Sequence, residues 1–87
     1  KHFAYIFPFS SPRLLNITMA FVFFPIDIIF IKNSQIVEIA HNVRPFSYYA
    51  PKKLADTFIE FPEGSIKKSW LGKRVNWNSK IVEIADK

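Results

Sequence analysis

The stretch 21–31, FVFFPIDIIFI, decides the fold. It carries one charge, Asp27, among ten uncharged residues. It is too short to cross a membrane as a helix, which needs about 20 apolar residues. Its β-branched and aromatic content favours strand over helix. Pro25 has no N–H to offer a ladder, so it divides the run. Asn16–Phe23 is expected as one strand and Ile26–Ile31 as the next, with a bend at Phe24-Pro25.

Beyond this stretch the pattern stays β-rich. KNSQ (32–35) is a polar turn, and IVEIA (36–40) returns as a strand, so Ile26–Ala40 reads as a hairpin. His2–Phe9 reads as a strand broken at Pro8. Residues 41–53, with Pro45 and Pro51, read as a loop. Leu54–Pro62 reads as a strand. Ser65–Leu71 reads as a short helix with Ser65 as N-cap and Gly72 as its stop. Lys73–Trp77 and Lys80–Ala85 are short strands. IVEIA recurs at 81–85, but the flanks differ, so the repeat is convergence on good strand chemistry. The fold class is α+β, mainly β: a compact antiparallel sheet, partly barrel-like, with one short helix near Ser65–Leu71.

Length and composition bound the function. Eighty-seven residues make a single small domain, 1–87, only marginally stable alone. Ten phenylalanines argue for one dense core, and two glycines exclude Gly-rich phosphate loops. There is no cysteine, which removes disulfides, thiol nucleophiles and thiolate metal sites and fits a cytoplasmic location. The net charge of +5 suits either plain solubility or an anionic partner. A chain that begins at Lys1 is expected to be a fragment or a processed form.

Several residues together resemble a known family. Met19, Pro25 and Asp27 fall at the spacing of the signature of domain-of-unknown-function family 192. IVEI after a polar turn, Pro45, FIEFPEGSIKK with Gly64, and GKRVNW with Gly72 follow in the family's order. The upstream YIFPFSSPR also looks like the family's first visible strand. The resemblance covers Phe3 to Trp77 and is similar to the short archaeal type. It implies a compact β-rich domain with a short helix, expected to be N-terminally truncated because the usual Gly-Leu-Met element is absent, and it implies no established reaction. Two further departures are Ala20-Phe21-Val22, where many bacterial members carry Lys-Asn-Thr, and Lys73, where the family carries Asp.

A buried carboxylate needs hydrogen bonds or a counter-charge. Asp27 is expected to accept backbone N–H bonds at the bend or to pair with Arg44, fixing the register of its strand. An acid–base reading would need His41, with Glu38 near. His41 is more ordinary as a turn residue, and His2 as a solvated one. The serines all sit in turn or capping contexts, and no His, Asp or Glu set has metal spacing. The expectation is therefore no enzyme, no cofactor and no metal.

The basic residues cluster late in the chain. Arg44, Lys52, Lys53, Lys67, Lys68, Lys73, Arg74 and Lys80 face only Asp56, Glu60 and Glu63 in that span. Phe46, Tyr48, Tyr49, Trp70 and Trp77 are interleaved. Phosphates want mobile cations on one surface, and bases want exposed aromatic faces. The plain alternative is solvated lysines around core aromatics, and both tryptophans suit the core. The expected partner is RNA or a ribonucleoprotein surface such as the ribosome, met by Arg44, Lys52, Lys53, Lys67, Lys68, Lys73 and Arg74 with Tyr48 and Tyr49. Two alternatives compete. One is a small, sugar-like ligand held by the aromatic loop Arg44–Pro51. The other is a protein partner pairing with an exposed sheet edge.

Overall fold

The computed structural model describes residues 3–20, 22–78 and 82–85. His2, Phe21, Lys80 and Ile81, which enter the sequence reading, lie outside the described residues. The strands are β1 (Tyr5–Arg13), β2 (Ile17–Thr18), β3 (Ile26–Lys32), β4 (Gln35–Val43), β5 (Tyr48–Tyr49), β6 (Ala55–Pro62), β7 (Arg74–Trp77) and β8 (Val82–Ala85). They form an antiparallel sheet in the order β1-β6-β3-β4-β7-β8, with β2 and β5 as a separate pair. The large sheet curls into half a barrel.

β3 is the centre because it is apolar on both faces. Every residue from Ile26 to Ile31 is buried. Successive strand side chains point to opposite faces, so β3 feeds two cores. Ile26, Ile28 and Phe30 join Leu15, Met19 and Phe58 on one side. Ile29 and Ile31 join Ile36, Ile59, Phe61 and Val75 on the other. Each such side chain contributes about 1.5–3 kcal/mol by leaving water.

The expected hairpin forms. Lys32 pairs with Gln35, leaving Asn33 and Ser34 as a two-residue turn. Both have positive φ, +52° and +65°, the requirement of a type I′ turn. The Asn33 N–H donates to Asp56 Oδ2 at 3.1 Å, tying the hairpin tip to β6. The Val75 N–H donates to the Ser34 carbonyl at 2.8 Å, tying it to β7.

Four sequence expectations need correction. Pro8 does not break the first strand: β1 runs from Tyr5 to Arg13 with Pro8 still opposite Thr57. β1 is an edge strand, where a missing donor costs least. Asn16–Phe23 yields only Ile17–Thr18, paired with Tyr49 and Tyr48. Leu15, Ile17 and Met19 are buried in alternation, so the segment lies over the first core instead of extending the ladder. The loop 41–53 is shorter than expected at its start, since β4 continues through Val43, and it contains β5. The helix shrinks to one 3-10 turn, Lys68–Trp70, with no side-chain cap. Ser65 Oγ instead donates to the Pro62 carbonyl at 2.6 Å, which closes the turn after β6 and leaves no cap for a longer helix. Trp70 and Trp77 are half-buried against the second core.

Ser34 occupies a left-handed conformation that a side chain makes costly. Ser34→Gly should stabilise the domain by about 0.5–1 kcal/mol after glycine's own entropy is counted. Thermal unfolding should show a rise of a few degrees; an unchanged or lower Tm would mean that the turn is not strained.

Candidate functional site

Asp27 is almost inaccessible, at 1% exposure. Its Oδ1 accepts the Asn42 N–H at 2.8 Å, and its Oδ2 accepts the Gly64 N–H at 3.0 Å. Backbone N–H bonds therefore stabilise it, as one of the sequence readings expected. The basic side chain within reach is His41, whose Nδ1 lies 3.8 Å from Oδ2, not Arg44. Arg44 is exposed at the start of the next turn, where its carbonyl accepts from Ser47.

The Asn42 bond sits on a bulge. Ile26 faces Val43 and Ile28 faces Ala40, so β4 holds one more residue than β3 there. Asn42 takes φ +54° to make this possible. His41, beside it, is exposed. The His41–Asp27 pair is close, but the carboxylate is closed off and each oxygen already holds a backbone N–H. Only His41 meets solvent.

Next to His41 a groove of about 540 Å³ opens along β4. Val37, Ile39 and Leu71 supply apolar lining. Lys52, Lys53 and Lys68 supply cations, and His41 adds another when protonated. Tyr49 and Glu38 complete the wall. Glu38 is a hub: its Oε2 accepts the Tyr49 hydroxyl at 2.6 Å, and its Oε1 accepts the Lys52 and Lys53 N–H groups, each at 2.9 Å. These donors anchor the loop that carries the two lysines. Tyr49 also stacks on Phe30, with centroids 5.7 Å apart. The Tyr49 hydroxyl is pushed up to about 12, first by burial, then by its bond to Glu38 and that carboxylate's charge.

Of the nine residues expected at an RNA surface, the groove gathers Tyr49, Lys52, Lys53 and Lys68. Arg44, Tyr48, Lys67 and Arg74 are exposed outside its lining, and Lys73 is half-buried with its carbonyl accepting from Ile36. The remaining motif residues serve the frame. Met19 is fully buried, and its carbonyl accepts the Phe46 N–H. Pro25 is half-buried just before β3. Gly64 and Gly72 both take φ +88°, Gly64 to reach Asp27 and Gly72 to donate to the Ile36 carbonyl. Among the described residues no group of three or more His, Asp or Glu is placed to hold a metal.

Two residues take roles that the sequence reading did not give them. Glu38, read there only as a neighbour of His41, is one; a lone acid inside an apolar strand was the signal, the same one that marked Asp27. The other is Phe46, which takes φ +60° in the turn after Pro45. It is 63% exposed and meets the edge of Phe23, itself 73% exposed. No sequence signal distinguishes it from a core phenylalanine.

A family model described as uncharacterized ACR, domain of unknown function 192, matches residues 1–77. A UPF0127 protein of Pyrococcus abyssi is 33% identical over 75 residues, covering 84% of this chain and 64% of that protein. A UPF0127 protein of Thermococcus sibiricus is 34% identical over 80 residues, covering 87% of this chain and 52% of that protein. The chain thus spans between half and two thirds of the length of these archaeal relatives. No solved structure matches the chain significantly.

Removing the Asp27 carboxylate strands two N–H groups. Asp27→Ala should cost about 3 kcal/mol. In hydrogen exchange, the Asn42 and Gly64 amides should lose protection first. If both stay protected, the carboxylate is not what holds them.

The Tyr49 shift has a sign. A hydroxyl raised from its ordinary value near 10 to about 12 favours the protonated folded state. Its contribution is complete below pH 10 and is lost as pH rises through 12. Thermal unfolding from pH 9 to 12 should therefore fall more steeply for the wild type than for Tyr49→Phe. Parallel curves would refute the Tyr49–Glu38 linkage.

Proposed function

Because the chain belongs to this uncharacterized ACR family, whose description names no reaction, we propose from the groove itself that the domain is a non-enzymatic binding module for anions. One observation carries this reading. Lysines from two separate segments converge with His41 on one groove, while the carboxylate in its wall, Glu38, is already satisfied by three donors. The volume is that of small-molecule sites. The apolar lining beside the ammonium groups suits an organic anion with an apolar part. The inaccessible, doubly bonded Asp27 supports a structural role over acid–base work.

Docking of RNA phosphates in the cytoplasm is the second reading. It is favoured by exposed Phe46, which meets exposed Phe23 and lies in the same stretch as exposed Arg44 and Tyr48. Exposed aromatic faces beside a guanidinium suit unstacked bases.

The triple variant Lys52→Gln, Lys53→Gln, Lys68→Gln tests both. All three side chains are exposed, so folding should be unaffected. Binding of tripolyphosphate, followed by calorimetry, should weaken by about tenfold or more. If structured RNA is the ligand, the slope of log affinity against log salt should fall by about 2–3. Unchanged binding of both anions would sink the groove as the site.

A further inference from the structure

The groove lies on a sheet edge. It touches Val37, Ile39 and His41 and also Glu38. Neighbouring strand residues point to opposite faces, so a cavity lined by both sets runs along the strand's edge. The pairing agrees. β4 meets β7 in register only at Gln35 and Arg74. Three backbone bonds close that contact: the Ile36 N–H to the Lys73 carbonyl and the Gly72 N–H to the Ile36 carbonyl, both 2.9 Å, and the Val75 N–H to the Ser34 carbonyl at 2.8 Å. Past residue 36 the chain leading to β7 diverges from β4, and Lys68 and Leu71 form the far wall of the opening. Among the described residues no strand pairs the outer side of 37–43.

We propose that this opening receives an extended acidic peptide segment, which adds as a strand to the outer edge of β4. The proposal rests on the anion-binding reading of the groove and names the ligand. Strand addition draws its affinity from main-chain hydrogen bonds and its selectivity from alternate side chains. Here the backbone pairs with β4. Carboxylates on the peptide meet Lys52, Lys53 and Lys68, and apolar side chains rest on Ile39 and Leu71. Charge complementarity selects an acidic partner over a basic one. The bulges of β4, opposite 26–28 and 30–31, bound the regular stretch to residues 38–40. The regularly paired part of the ligand is therefore about three residues, roughly 10 Å long. The outermost strand on the opposite side of the sheet, β1, carries Pro8 and Pro12, whereas β4 carries no proline.

The test uses a fluorescein-labelled hexapeptide of alternating glutamate and valine, with two versions N-methylated on either alternate set of residues. Tripolyphosphate serves as the anion that lacks a backbone. The hexapeptide should bind, raise the exchange protection of amides within 38–40, and lose about tenfold or more in affinity to the triple lysine variant. Methylation of one set should weaken binding by about tenfold, and methylation of the other should change it little, because only one set of amides faces β4. If tripolyphosphate binds and the hexapeptide does not, strand addition is wrong while the anion site stands. Two methylated peptides that both bind as tightly as the parent likewise overturn strand addition. If neither anion binds, the anion reading falls with it. Structured RNA that occupies the groove and resists displacement by the hexapeptide overturns the peptide in favour of a polymer.

Discussion

The carboxylate of Asp27 holds three strands in relation to one another. It stands on β3, and its two oxygens receive N–H groups from the bulge of β4 and from the turn that follows β6. Those are the two strands that flank β3. A purely apolar β3 would gain similar burial in several registers, since isoleucine fits either face. A slip of one residue moves the acid to the opposite core and leaves both N–H groups without it. The single charge in the most apolar run is what makes one register better than the rest.

The same clamp shapes the surface. The bulge that satisfies Asp27 turns Asn42 left-handed and leaves His41 exposed at the rim of the groove. Glu38 then does for the loop 50–53 what Asp27 does for the strands. It draws in two backbone N–H groups and a phenol, so the lysines that follow stand beside β4. Both acids convert a polar liability within a strand into an anchor for chain that is distant in sequence.

The central hairpin was legible because three local signals agreed: an apolar run, a polar Asn-Ser turn and a returning run. The edges were less legible. Pro8 reads as a break, and only its place on an outer strand makes it tolerable. The apolar content of 16–23 reads as strand, but burial of Leu15, Ile17 and Met19 against the first core decides its path, and that is tertiary information. IVEIA shows the limit most plainly. At 36–40 it lies beside the central strand, and its Glu38 is half-buried and triply bonded. At the second copy Glu83 lies on the outermost β8 and is exposed. The cations were visible in the sequence, but which of them converge depends on where the chain leaves β4.

β1 ends the sheet with Tyr5, Phe7 and Phe9 all substantially exposed. Aromatic edge strands can seed fibrils, because each added chain presents the same template to the next. Pro8 and Pro12 interrupt that template by withholding two donors, and the bulge between Pro8 and Arg13 bends what remains. The residues that make the first strand hard to read in the sequence are thus ones that leave it a poorer template for pairing, without removing aromatic surface from the fold.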